Sequence, residues 1–282
     1  MKLLFWISVG VIAYTYAGYP LLIWILSRLR QKPWTKAPIT PSVSIVMAVH
    51  NGAAILARKL DHLRDLDYPN IAEVIVVSDG STDATNDLLT HRRDPKLHAI
   101  FLREQVGKAS ALNAAVAAAT GEIILFVDVR PWIGEGAIAH LVSNFADPSI
   151  GCVAGDLIVR QDGNEASAAA LGGLYWRYEQ GLRDCEARFH SPLGVYGGFY
   201  AIRRSAACEF PAGTILDDMY QPLSIVRSGL RSVLELDAKV YDTWPKKSAD
   251  EFRRKVRTLA GNFQLIQVAP WLLTPRNPLL VQ

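Results

Sequence analysis

A run of five apolar residues at positions 123–127 ends abruptly on an acid, Asp128. An apolar run this short reads as a strand buried on both faces of a parallel sheet. The pattern recurs upstream. Residues 42–49 end on His50-Asn51-Gly52, residues 73–77 end on Ser78-Asp79-Gly80, and residues 98–102 form a third run. Helical spacing fills the gaps. Ile55, Leu56, Leu60, Leu63 and Leu66 share one face of a helix over 53–66, and an alanine-rich helix runs from Gly107 to Ala119. Between the first two helices' strands, Ser81 or Thr82 is placed to cap a helix with Asp83 in its first turn. The order β-α-β-α-β-α-β predicts a mostly parallel, doubly wound sheet flanked by helices.

Beyond Asp128 the alternation loosens. The sequence predicts helices over 137–145, 166–188 and 250–267, and one entered at Asp217-Asp218 that ends near Gly229. It predicts strands over 151–159, 194–202, 231–236 and 238–241. Cys152, Cys185 and Cys208 lack metal-ligand spacing and read as reduced thiols of a cytosolic domain. A net charge of +3 gives no sign of a nucleic-acid partner.

The N-terminus differs in kind. Residues 3–26 carry no charge and are long enough to span a bilayer, which takes about 20 residues. Lys2 precedes them, and Arg28, Arg30, Lys32 and Lys36 follow, so the positive-inside bias puts the rest of the chain in the cytoplasm. Trp6, Tyr14, Tyr16, Tyr19 and Trp24 are interfacial anchors by type. A cleaved signal peptide is the competing reading; the downstream basic residues and the lack of a small-residue cleavage site oppose it. The expected layout is a single-pass anchor in the inner or plasma membrane over 1–27 and an extended, proline-rich linker over 28–41. A domain over 42–268 and an interfacial or truncated segment over 269–282 follow.

Ligands of open α/β sheets lie outside the carboxyl ends of the strands. Asp79 and Asp128 end such strands, and Asp217-Asp218 opens a helix. Each alone has a structural alternative as a turn or helix-terminus acid. Together with Lys108 they suit a metal or a base acting beside a phosphorylated ligand.

The motifs around these acids resemble the family 2 glycosyltransferases, inverting enzymes of the GT-A fold. Their membrane-associated branch, similar to cellulose, hyaluronan and poly-N-acetylglucosamine synthases, looks closest. The resemblance rests on residues 44–51, on Val76-Val77-Ser78-Asp79-Gly80-Ser81-Thr82-Asp83, and on 107–113. It rests further on Asp128-Val129-Arg130, Gly197-Gly198-Phe199, Leu216-Asp217-Asp218 and 254–258. It implies that Asp79 accepts hydrogen bonds from the uracil of a UDP-sugar and that His50 and Asn51 line the nucleotide pocket. Lys108 and Arg254 would contact the nucleotide or its phosphates. Asp128 would hold Mg²⁺ or Mn²⁺ on the diphosphate, and Gly197, Gly198 and Phe199 would face the acceptor. Asp218 would be the general base, supported by Asp217, with Arg257 stabilising the departing diphosphate. A basic face lying on anionic lipid is the alternative for Arg253, Arg254, Lys255 and Arg257. Asp156, Tyr196 and Trp176 are further pocket candidates.

The implied reaction moves glucose or N-acetylglucosamine from UDP to a lipid-linked or growing saccharide in polysaccharide biosynthesis. The bilayer and other membrane proteins are the implied partners. Two positions depart from the pattern. Arg130 stands where the metal motif usually has a second acid, and either turns away or pairs with phosphate. Arg254 and Thr258 replace the Gln and Trp of the processive synthases' Gln-x-x-Arg-Trp, which speaks against a long extruded polymer. The chain also stops at Gln282, where those relatives continue into further spanning helices. A non-catalytic nucleotide-sugar-binding regulator and a nucleotidyltransferase are the rival functions. The latter would carry a glycine-rich phosphate loop after the first strand, and His50-Asn51-Gly52 is not one.

Overall fold

The computed structural model describes residues 2–160, 166–243, 248–275 and 277–279; the side chains of 160, 166–176 and 248–251 lie outside the described set. The Trp176 side chain is among these. In chain order the elements are α1 (Lys2–Ala13), a π-turn (Tyr14–Gly18), α2 (Tyr19–Leu29), β1 (Val43–Val49), α3 (Ala53–Arg64), β2 (Ile71–Asp79) and α4 (Thr85–His91). Next come β3 (Leu97–Leu102), α5 (Lys108–Ala118), β4 (Ile123–Val127), β5 (Trp132–Ile133), α6 (Ala137–Ser143) and β6 (Ile150–Arg160). The chain closes with α7 (Ala166–Phe189), β7 (Phe199–Arg203), α8 (Asp217–Arg227), β8 (Arg231–Thr243) and α9 (Ser248–Val268).

One eight-stranded sheet has the order β3-β2-β1-β4-β7-β6-β8-β5. Strands β3, β2, β1 and β4 are mutually parallel, as the alternation requires. β7 joins β4 antiparallel and reverses the sheet. Side chains alternate faces along a strand, so each parallel strand feeds two cores. Val43, Ile45, Met47 and Val49 pack with Leu56, Leu60 and Leu63 of α3 and Ile138 and Leu141 of α6. Val46, Ile75 and Val77 meet Ala111, Leu112 and Ala115 of α5 on the other face. Alanine on the α5 face lets that helix lie close to β1 and β2.

Four readings change, three of them past Asp128. Residues 231–241 form one long strand rather than two. It runs parallel to β6, with the register slipping between Gly155 and Asp156. The slip sits where a Cβ on Gly155 would lie 2.3 Å from the Phe199 ring. Residues 194–198 are loop; only Phe199–Arg203 pairs as strand. The short strand Trp132–Ile133, unforeseen because two residues carry no period, pairs with Tyr241 and Val240. Asp83, rather than Ser81 or Thr82, holds the start of α4, its Oδ1 accepting the Thr85 N–H.

Lys2–Leu29 is a 28-residue apolar helix, long enough to cross a membrane. It is exposed from Lys2 to Ala17 and then lies along α7, burying Ile23 and Ser27. Pro20 has no N–H to give the Tyr16 carbonyl one turn back. The Tyr178 hydroxyl of α7 donates to that carbonyl instead, at 3.1 Å.

Candidate active site

The acids meet at the carboxyl ends of the parallel strands. β4 delivers Asp128, whose N–H bonds the Gly198 carbonyl. α8 opens on Asp217 and Asp218. Gly107, at φ +91°, turns the chain into α5 and delivers Lys108. The Lys108 ammonium lies 3.1 Å from both Asp128 Oδ1 and Asp217 Oδ2. Burial alone would discharge this lysine, but Asp128, Asp217 and Asp218 outweigh it and hold its pKa above the usual value.

Asp218 is crowded differently. Burial, reinforced by the Asp217 charge, pushes its pKa up to about 6, with Lys108 pulling the other way. A Cβ on Gly197 would come within 2.9 Å of the Asp218 Cβ and 3.0 Å of Oδ2, so only glycine lets the 195–198 loop pass this carboxylate. The loop is pinned there by the Val195 N–H to the Asp218 carbonyl. Phe199 is fully buried in the sheet rather than exposed to an acceptor. This corrects its expected place at the acceptor-facing surface: as the first residue of β7, it points into the core.

The loops over β1 and β2 are tied together by polar side chains. Asp79 Oδ1 accepts the Val106 N–H at 2.7 Å and Oδ2 the Gly107 N–H at 2.9 Å. Both oxygens of this buried acid thus hold the loop that precedes Lys108. His50 Nδ1–H donates to the Asp79 carbonyl, which leaves Nε2 to accept the Asn51 amide. Asn51 Oδ1 in turn accepts the Thr82 and Asp83 N–H groups. Asn51 adopts φ +52° to do so, a conformation that Asn tolerates better than most residues.

Arg130 turns toward the far edge of the sheet. Its Nη2 lies 3.3 Å from Asp242 Oδ2, and the Tyr196 hydroxyl donates to the same oxygen. Asp156 accepts from Gln180 and, with Tyr196, lines a void of only about 10 Å³. Neither candidate borders space for a sugar there. The Arg257 guanidinium reaches the Ile215 carbonyl at 3.3 Å, beside the Asp217-Asp218 turn. α9 is seated by Gln264, which accepts the Ile215 N–H and donates to the Gly213 carbonyl. Arg254 lies one turn earlier on α9, and a stripe of Phe252, Val256, Leu259, Phe263 and Ile266 stays exposed.

Lys59 was not singled out by its sequence. It is 3% exposed, and its ammonium donates to the Pro131 carbonyl at 2.6 Å, holding the turn after Asp128. Burial lowers its pKa to about 8, opposed by Asp128 and Asp242. Its place on the Leu56–Leu63 stripe was the available signal: residue 59 falls on the apolar face of α3.

Carboxylate oxygens are the donors hard divalent cations prefer, and Mg²⁺ is commonly held by one or two carboxylates plus substrate phosphates. Asp128 keeps 41% of its side chain exposed, and the Lys108 ammonium already places a positive charge between Asp128 and Asp217. The donor set fits such an ion completed by a diphosphate. Among the described residues no three His, Cys, Asp or Glu side chains gather as an all-protein cage.

The comparisons with known proteins agree with this geometry. Residues 44–209, more than half of the chain, match the model of "Glycosyl transferase family 2". An N-acetylglucosaminyltransferase of Rhizobium meliloti (strain 1021) is 26% identical over 255 residues, covering 85% of this chain and 60% of the relative. A poly-beta-1,6-N-acetyl-D-glucosamine synthase of Staphylococcus aureus (strain COL) is 22% identical over 247 residues, covering 84% and 58%. The chain therefore spans about three fifths of the length of these curated relatives. A mannosyltransferase from Pyrobaculum calidifontis, solved in complex with GDP-Man and Mn²⁺, superposes with a TM-score of 0.75 at 27% identity. That match covers 92% of this chain and 74% of the other. The parallel half-sheet, the glycine passing Asp218 and the match across 44–209 converge, and the chain belongs to glycosyl transferase family 2.

Proposed function

We propose that the chain is an inverting glycosyltransferase that moves a sugar from a nucleoside-diphosphate donor to a saccharide or lipid-linked hydroxyl. The observation that carries this is the meeting of Asp128, Lys108, Asp217 and Asp218 at one end of the parallel strands, with Gly197 clearing the Asp218 carboxylate. Asp218 is the general base. With a pKa near 6 it is mostly ionised at neutral pH yet basic enough to take a proton in the transition state. The acceptor oxygen forms its bond to the anomeric carbon as its proton passes to Asp218. The bond from that carbon to the diphosphate breaks, and the electron pair leaves with the nucleotide.

Lys108 faces the diphosphate as a fixed positive charge, and Arg257 adds a second from α9. A divalent cation, when bound, would sit on Asp128 and neutralise charge on the diphosphate. Asp217 holds Lys108 in place. Asp79 acts through the loop it binds: by fixing the Val106 and Gly107 N–H groups it shapes the wall against which the nucleotide lies. His50 and Asn51 brace the facing loop. Gly197 and Gly198 leave room for the acceptor beside Asp218.

UDP-N-acetylglucosamine is the donor to test first, because relatives spanning most of this chain are named for N-acetylglucosaminyl transfer. GDP-mannose is the second reading, favoured by the ligand of the superposed mannosyltransferase. The catalytic unit extends over 42–268, with the N-terminal helix as a single-pass anchor and the domain on the cytoplasmic side. The basic residues after the helix support that side.

The test is a panel of nucleotide-sugars, scored for thermal stabilisation and for release of nucleoside diphosphate on adding saccharide acceptors. Stabilisation and release with one donor support the reading. Stabilisation by a donor with no release across the acceptor panel would favour a binding regulator, and release of inorganic pyrophosphate from nucleoside triphosphate would favour a nucleotidyltransferase.

A further inference from the structure

The N-terminal helix and α7 enclose a cavity of about 450 Å³ that none of the proposed chemistry uses. Trp24 and Arg28 contribute from the helix, and Arg177, Tyr178, Asp184 and Arg188 from α7. Its charge is unbalanced. Arg188 is spoken for by Asp184, at 2.8 Å. Arg28 lies over the Trp24 ring, 5.5 Å from its centroid, and both Arg28 and Arg177 are exposed. Among the described residues neither has a carboxylate within ion-pair distance. A second cavity of about 460 Å³ shares Asp184 and Arg188 and adds Lys32 on the side of the linker.

The helix itself fixes the depth of this groove. Counted at the helical rise from Lys2, a hydrocarbon layer of about 30 Å ends near residue 21. Trp24 and Arg28 then fall in the headgroup layer, and Tyr19 and Trp24 lie near the boundary as aromatic anchors prefer. A groove with two guanidiniums that have no carboxylate partner among the described residues, and with two aromatic rings, set at headgroup depth, matches a lipid phosphate with its glycerol and ester region.

We propose that this groove binds the headgroup of an anionic phospholipid, with Arg28 and Arg177 on the phosphate and Trp24 and Tyr178 along the glycerol. The site rests on the membrane-anchor reading and is separate from the transfer site. Occupied, it ties the first turns of the domain to the membrane through α7 as well as through the chain.

The test uses the full chain purified in detergent, with phosphatidylcholine or phosphatidylglycerol added, and Arg28→Gln/Arg177→Gln beside the wild type. Phosphatidylglycerol should raise the wild-type thermal midpoint above the phosphatidylcholine value by about 3 °C. The double variant should lose that increment while matching the wild type in phosphatidylcholine. Arg93→Gln, an exposed arginine of the α4–β3 loop, should keep it. An increment that survives in the double variant, or that Arg93→Gln removes equally, would mean diffuse surface attraction and overturn the site. So would an equal shift from glycerol 3-phosphate in place of lipid. Membranes washed with alkaline carbonate separate this failure from failure of the anchor. Release of the protein would sink both readings, whereas retention without a phosphatidylglycerol increment would sink the headgroup site alone.

Discussion

The two sides of the site handle carboxylates in opposite ways. On the side of β1 and β2, Asp79 has both oxygens on backbone N–H groups and Asp83 holds the N–H groups of Ala53 and Thr85. Those charges are consumed by loop architecture. On the side of β4 and α8, three acids share one lysine, and Asp218 is left with a raised pKa. The difference teaches that an acid at a strand end gains its role from what it is denied. Asp79 is satisfied and shapes a wall. Asp218 lacks a cation of its own, which suits the role of base proposed for it.

The largest effect should come from the unsatisfied side. Asp218→Asn should lower transfer by roughly 10²–10⁴-fold, the range for loss of a general base. Its thermal midpoint should hold or rise, since the substitution removes a buried charge beside Asp217. Full transfer in this variant would make another group the base and dissolve the contrast.

Asp79→Ala should do the reverse. It removes the charged acceptor of the Val106 and Gly107 N–H groups, hydrogen bonds of a kind worth about 1.5–3 kcal/mol. Thermal denaturation should show the loss, and calorimetry should show weaker nucleotide binding because the wall loosens. An unchanged midpoint with weakened binding would instead return Asp79 to direct contact with the base.

Lys108→Met tests the link between the sides. Lys108 lowers the Asp218 pKa, so its removal should move the acid limb of the kcat/KM profile above about 6. A limb that stays in place would detach the two groups. The smallest effect belongs to Arg130→Gln. Its ion pair with Asp242 is half exposed and worth about 0–1 kcal/mol. Inhibition by chelator should be the same as in the wild type; a change would put Arg130 on the diphosphate after all.

Much of this was legible before the structure. The β1–β4 half-sheet follows from four apolar runs separated by helical periods, because parallel strands buried on both faces leave an unmistakable pattern. The gathering of Asp128, Lys108 and Asp217-Asp218 follows from their places at strand and helix ends. The other half was harder. β8 reads as two strands because Asp237 breaks the run between 231–236 and 238–241, yet pairing with β6 across the Gly155–Asp156 slip keeps it continuous. The loop bonds of Asp79 were illegible for a different reason: a sequence names an acid in a loop but not which backbone N–H groups come to it from 27 residues away. Lys59 was hidden by its type, since a lysine on a helix is read as solvated unless its position on the apolar stripe is weighed first.

The central proposal is that burial and Asp217 make Asp218 a base with a pKa near 6, and the pH dependence of kcat/KM, which reports the free enzyme, tests it most directly. Because the ionised form must accept the proton, the account predicts that kcat/KM rises with pH and reaches half its plateau at about pH 6. A kcat/KM that is flat from about pH 5 to pH 8 would contradict it.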